Sequence, residues 1–143
     1  MADEATIYSS MRIVKGHLEY NSLPSSFSAD VSTAKAPTPG QVAVTVSGTT
    51  IDLSALTTPG LCRIQNLDAD YWVEYGIWDP ESGLFYPLGE LLAGESYVIR
   101  LARYIHDERG TGTGTGTAGP ATNVLQLRSH GGTANVLVEA FEK

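Results

Sequence analysis

Between residues 60 and 105 the chain alternates apolar, β-prone runs with turn residues so regularly that few structures other than an antiparallel β-fold can accommodate it. Runs rich in Val, Ile, Tyr, Trp and Phe are separated by Asn66-Leu67-Asp68-Ala69-Asp70, by Asp79-Pro80-Glu81-Ser82-Gly83 and by Ala93-Gly94-Glu95. β-branched and aromatic side chains suit a pleated, half-buried surface, whereas Gly, Pro, Asn and Asp supply the backbone angles and local hydrogen bonds of turns. The stretch reads as a β-meander. Cys62 and Ile64 share one face, and Tyr71, Val73, Tyr75 and Ile77 share another, which would turn Trp72 and Trp78 outward. Pro87 lacks an amide hydrogen, so the run around it belongs at a sheet edge or a strand end. Tyr97, Ile99 and Leu101 alternate in a run that, extended to Ile105, would be the longest strand.

The flanks continue the pattern. Val42, Val44 and Val46 alternate along one face before the turn Ser47-Gly48-Thr49-Thr50. Near the C-terminus, two strand-like runs flank Ser129-His130-Gly131-Gly132 and read as a hairpin. Turn signals recur about every 8–12 residues from Gly40 onward, and no stretch reads as a helix. The expected fold is all-β: an antiparallel β-sandwich or jelly-roll-like single domain of eight to ten strands, with an extended N-terminal arm.

The sandwich is expected over residues 41–143, and the arm with a loosely structured segment over residues 1–40. Met11, Ile13, Val14, Leu18 and Tyr20 keep no single face, which a bulge near Gly16 or an extended arm would explain. Pro24, Pro37 and Pro39 exclude a central strand where they stand, leaving room for one short edge strand around Phe27–Val31. Residues 106–122, HDERGTGTGTGTAGPAT, contain no side chain suited to a core. They form either a surface loop or a segment ordered against a neighbouring chain.

A chain of 143 residues with 42% hydrophobic and 17% charged residues has the size and composition of one globular domain. No run approaches the ~20 apolar residues of a membrane-spanning helix. The acidic start MADEATIYSS lacks the features of a signal peptide, so the chain is expected to be cytosolic when made. The net charge is −7 and the nine basic residues are scattered, which argues against a nucleic-acid partner. Cys62 is the only cysteine, so an intrachain disulfide or a thiolate cluster is excluded; within an apolar run it reads as a small buried side chain.

A search for chemistry finds little. His17, His106 and His130 form no ligand pair, and His106-Asp107-Glu108 reads as a solvated turn. Asp68, Asp70, Glu74, Glu90 and Glu95 could supply a glycosidase-like carboxylate pair near Trp72, Tyr75, Trp78 and Tyr86. Alternation separates Glu74 from Tyr75, however, and Asp68 and Asp70 fall where aspartate caps a turn. No GxSxG elbow occurs, and the Gly-Thr repeat lacks the strand–helix context of a phosphate cradle. No catalytic, metal or cofactor site is expected. The outward aromatics are either contact anchors or, if another layer covers them, core.

The blocks Leu56-Thr57-Thr58-Pro59-Gly60-Leu61, Asn66-Leu67-Asp68 and Tyr71-Trp72-Val73-Glu74-Tyr75-Gly76 have a familiar cast. So do Gly83-Leu84-Phe85-Tyr86-Pro87-Leu88-Gly89-Glu90-Leu91 and Ala93-Gly94-Glu95. Over residues 50–105 and the C-terminal strand the chain resembles small virion proteins of tailed bacteriophages. The resemblance implies a β-sandwich or jelly-roll subunit of the virion, of head decoration or cement type, without an enzyme active site. Its implied partners are the major capsid protein and further copies of itself, as a dimer or trimer, with neither membrane nor nucleic acid. Candidate contact residues are Ile7, Tyr8 and Met11 in the arm and Trp78, Phe85 and Tyr86 in the sandwich, with the loop over residues 106–120. The alternative is a tail or baseplate component that binds carbohydrate through Trp72, Trp78 and Tyr86.

Overall fold

The computed structural model describes residues 5–31, 37–80, 82–102 and 124–142, and every regular element among them is a strand. The chain divides into two compact units, Met1–Ala34 and Lys35–Lys143.

The first unit is better ordered than its composition suggests. Strands β1 (Ala5–Ser9), β2 (Arg12–Lys15), β3 (Leu18–Asn21) and β4 (Ser25–Ala29) make one long hairpin in two ladders, β1 with β4 and β2 with β3. Gly16 is the first residue of a two-residue loop with His17, and its φ of 59° is the value that a tight hairpin turn of this kind requires. Between the ladders Ser22 N donates to Met11 O (2.8 Å), and Met11 N donates to Ser22 Oγ (2.7 Å). Leu23 and Pro24 are thereby left opposite Ser10 alone, so the bulge lies here and not near Gly16.

The extra residue re-phases the second strand. Ile7 stands opposite Phe27 and Ile13 opposite Tyr20, and the unbroken alternation of the first strand puts both pairs on one side. Ala5, Ile7, Met11, Ile13, Leu18, Tyr20, Phe27 and Ala29 share that largely apolar face with Ser9, Lys15, Ser22 and Ser25. Thr6, Ser10, Arg12, Glu19, Asn21, Ser26 and Ser28 lie on the other, with Tyr8 and Val14. The lack of a single face over residues 11–20 arose from taking two strands and their turn for one strand.

The second unit holds β5 (Thr38–Val44), β6 (Thr49–Thr50), β7 (Pro59–Asn66), β8 (Trp72–Asp79), β9 (Leu84–Leu91), β10 (Ser96–Arg100), β11 (Val124–His130) and β12 (Ala134–Glu142). They form two four-stranded antiparallel sheets, ordered β10-β7-β12-β5 and β6-β11-β8-β9. First pairs with last: β5 with β12, β6 with β11, β7 with β10, and β8 with β9. This is a long hairpin rolled across two sheets, the jelly-roll form of the β-sandwich.

Several sequence expectations are corrected. Of the strands consecutive in sequence between residues 60 and 105 only β8 and β9 are neighbours, so the segment is not a meander; its other connections cross between sheets. β11 and β12 also lie in different sheets, so the glycine turn between them is a crossover and not a hairpin. Strand β10 ends at Arg100, residues 103–105 lie outside the described residues, and the nine-residue β12 is the longest strand among those described. Because β5 begins at Thr38, the sandwich includes Pro39 and Gly40. Pro39 and Pro87 sit in β5 and β9, both edge strands, as their missing amide hydrogens demand.

Val44, Ile64, Val73, Leu91, Leu125, Leu127, Val136 and Val138 fill the space between the sheets, with Tyr71, Tyr75, Ile77 and Ile99 packed against them. Each aliphatic chain so buried contributes about 1.5–3 kcal/mol. Cys62 belongs to this core, as expected, and burial, with Glu139 adding to it, pushes its thiol up to about 12.

Buried Asn66 stitches the two sheets. From the end of β7 its Nδ2 donates to Tyr71 O (2.8 Å) and to Leu91 O at the end of β9 (3.3 Å), while Oδ1 accepts from Asp68 N (3.0 Å). Asp68 Oδ1 in turn accepts from Asp70 N and Tyr71 N, which holds its carboxyl below the usual carboxylate range. Asp68 therefore caps the turn, in line with the sequence pattern.

Candidate functional site

Alternation along β8 turns Val73, Tyr75 and Ile77 into the core and leaves Trp72, Glu74, Gly76 and Trp78 on the outer face of its sheet. Along β11 the same rule buries Leu125, Leu127 and Ser129 and turns Arg128 and His130 outward. The register then sets His130 beside Trp72 and Arg128 beside Glu74, with Phe85 of β9 opposite Trp78.

These side chains form a continuous row. The imidazole of His130 stacks on the indole of Trp72, and its Nε2 lies 2.9 Å from Glu74 Oε2. The Arg128 guanidinium lies over the Phe85 ring at 4.4 Å and over the Trp78 ring at 5.5 Å. Its Nε donates to Gln126 Oε1 (3.1 Å), and among the described residues its two Nη groups engage no acceptor.

Gly76 makes this packing possible. A Cβ there would stand 2.9 Å from Phe85 Cζ and 2.8 Å from Pro87 Cα, so the absent side chain lets the Phe85 ring lie against the strand. The row is partly solvated: the side chains of His130 and Glu74 are 40% and 26% exposed. It offers aromatic surface, one guanidinium fork suited to a carboxylate, and one His–Glu pair suited to a polar group. That is equipment for recognition.

The structure thus brings Trp78 and Phe85 together. Tyr86 takes the position opposite Ile77 and so falls on the other side of the sheet, 49% exposed. Arg128, His130 and Glu74 escaped notice as part of the site. Their alternation with Leu125 and Leu127 was visible, but their placement beside Trp72 and Trp78 needs the β11–β8 register. Glu74 and Glu90 do stand opposite each other on β8 and β9, with Glu74 engaged by His130.

Of the arm residues, Ile7 and Met11 lie on the apolar face of the hairpin and Tyr8 on its reverse, 79% exposed. Tyr8, Ser9, Ser10, Pro24, Ser25 and Ser26 line an open depression of about 270 Å³ at the bulge. His17 sits at the hairpin tip, and the loop over residues 106–120, with His106, Asp107 and Glu108, lies outside the described residues. Among the described residues no group of three or more His, Cys, Asp or Glu is placed to hold a metal ion. Compared with protein-family models, with curated proteins and with solved structures, the chain matches none.

Proposed function

We propose that the chain is a non-enzymatic bacteriophage virion structural protein, a capsid decoration or cement subunit that binds and stabilises the shell of the major capsid protein. The observation that carries this reading is the outward row in which Arg128 lies over Trp78 and Phe85 with its Nη groups unengaged among the described residues. Aromatic residues and arginine dominate the energetic centres of protein interfaces, and a guanidinium already oriented by two rings loses little freedom on meeting a carboxylate. The resemblance over residues 50–105 supplies the virion context. The jelly roll is compatible with it, although that fold also serves lectins and enzymes and so carries no function by itself. Repeated over a symmetric shell, modest contacts at each copy give high occupancy and tie neighbouring subunits together.

Co-sedimentation of the purified protein with empty shells of its cognate major capsid protein tests the proposal. Saturable binding is expected, with Arg128→Ala weakening it roughly 30-fold, a hot-spot loss of ~2 kcal/mol. Shells indifferent to the protein at saturating concentration would end the reading.

The outward indoles also favour a second reading, a tail or baseplate component that stacks carbohydrate on Trp72 and Trp78. One face of each indole is already covered, by His130 and by Arg128, and Tyr86 lies on the other side of its sheet. Glycan-array binding lost in Trp78→Ala, from a protein that ignores capsid shells, would establish this alternative.

A further inference from the structure

We infer that strand β10 is a self-association edge, onto which β10 of a second copy adds antiparallel about a two-fold axis at Val98. The inference stands apart from the capsid reading and uses a different surface from the row around Arg128.

The sandwich has four edge strands, β10 and β5 in one sheet and β6 and β9 in the other. An edge presents a row of backbone groups with which a further strand can pair, and folded proteins blunt such edges with proline, bulges or very short strands. Three of the four are blunted in this way. β5 carries Pro39 and Gly40, β6 has two residues, and β9 carries Pro87 and the bulge that leaves Leu88 unopposed. β10, Ser96-Tyr97-Val98-Ile99-Arg100, contains no proline, glycine or bulge, and its five residues follow β7 in one unbroken register.

That register fixes where its backbone groups point. Asn66 N donates to Glu95 O (2.9 Å) and Leu101 N donates to Gly60 O (2.8 Å), so the hydrogen-bonded pairs with β7 fall on odd-numbered residues of β10. Ser96 and Val98 therefore direct their amides and carbonyls to the open side. Tyr97 and Ile99 stand opposite the core residues Ile64 and Cys62 of β7, on the inner side of the sheet. Tyr97 is nevertheless 45% exposed, because no described strand flanks β10 beyond it.

The strand itself specifies a second copy as the occupant. With Val98 opposite Val98 of the second copy, the two residues exchange both of their backbone hydrogen bonds across the axis. Tyr97 then stands beside Ile99 of the second copy on the inner side, twice per dimer, an aromatic–β-branched pair that covers the exposed ring. Arg100 comes opposite Ser96, so no like charges meet. Only this register uses all five residues of both strands, and a second copy supplies it by symmetry, as an isologous interface requires.

Sedimentation equilibrium and native mass spectrometry of the full chain test this, and a dimer is expected. Val98 lies on the outer side of its sheet, where the monomer accepts a charge, but the two-fold axis sets two like charges directly opposite each other. Val98→Lys and Val98→Glu should each raise the dissociation constant roughly tenfold. Mixing the two variants should bring it back to within about twofold of the original, as a Lys–Glu heterodimer. Under mild oxidation Val98→Cys should give a disulfide-linked dimer, since paired Cα atoms there stand about 5.5 Å apart. Ser96→Cys, displaced from the axis, should link far more slowly. A monomeric chain, a trimer, a dimer indifferent to charge at position 98, a mixture no tighter than either variant, or equal linking rates would each overturn the inference. A monomer whose Ser96 and Val98 amides resist hydrogen exchange would overturn it by showing that the chain covers its own edge. Monomeric Val98→Lys should melt at the temperature of the dilute, dissociated parent chain, which separates loss of pairing from loss of folding. Arg128→Ala should leave the dimer intact, so failure of the shell contact and failure of the dimer are separable.

Discussion

The imidazole of His130 lies flat on the indole of Trp72, with ring centroids 3.7 Å apart and planes within 1° of parallel. Two strands meet in this contact, and Glu74 fixes the free edge of the imidazole. A double-mutant cycle of Trp72→Ala and His130→Ala, read by urea denaturation, should give a coupling of about 0.5–1.5 kcal/mol, the range of stacked aromatic pairs. Additive losses would mean that the stack contributes nothing beyond burial.

Asn66 is the polar centre of an otherwise apolar junction. Replacing it by Leu keeps the branching but adds bulk, and strands the Tyr71 and Leu91 carbonyls together with the Asp68 amide. Asn66→Leu should cost about 3 kcal/mol in equilibrium unfolding, because buried groups that lose a partner carry their full desolvation penalty.

At Gly76 an added methyl would meet the Tyr86 carbonyl oxygen and Pro87 Cα, both backbone atoms that cannot swing aside. Gly76→Ala should lower stability by about 2–3 kcal/mol. It should also push Phe85 off the strand and away from Arg128, so on the proposed capsid reading shell binding should fall even at temperatures where the variant is fully folded.

Cys62 is completely buried. Its thiol is moved from the ordinary 9.0 to about 12, chiefly by burial and secondarily by the Glu139 charge. In the native protein at pH 8 it should resist a thiol-directed reagent and react only as fast as the chain unfolds. The unfolded thiol loses its proton near pH 9 while the native one keeps it. Stability should therefore decline as pH rises from about 9 toward 12, and Cys62→Ala should flatten that decline.

Asp68 gives the opposite limb. Backbone amides of Asp70 and Tyr71 hold its native carboxyl below the usual 3.8. Its contribution is complete above that value and disappears as pH falls through the lower native one. Acid unfolding followed by circular dichroism should show a shallower pH dependence in Asp68→Asn than in the parent protein.

The side of each strand that faces the core was legible in the sequence. Val73, Tyr75 and Ile77 went inward, Trp72 and Trp78 outward, and Pro39 and Pro87 went to edges, because alternation and missing amide hydrogens are local properties. Which strand lies beside which was not legible. Residues 61–65 pair with residues 96–100, a long-range choice made by packing that no local pattern encodes. Gly131 and Gly132 misled for a specific reason. They read as hairpin residues, but Cβ atoms there would run into the Tyr71 ring, so their smallness serves a packing contact at a crossover between sheets. Arg128 and His130 joined the site through the same non-local register.

The extra residue at Leu23 and Pro24 makes chain length at the bend the quantity that matters in the arm. Substitutions along the hairpin would wear the apolar face away gradually. Loss of one residue between Asn21 and Ser25 would instead abolish the bulge and let both ladders run in one register, with Phe27 still opposite Ile7 and on the side of Ile13 and Tyr20. The bend holds one residue more than an unbroken ladder needs, and a straighter ribbon is what its removal would leave.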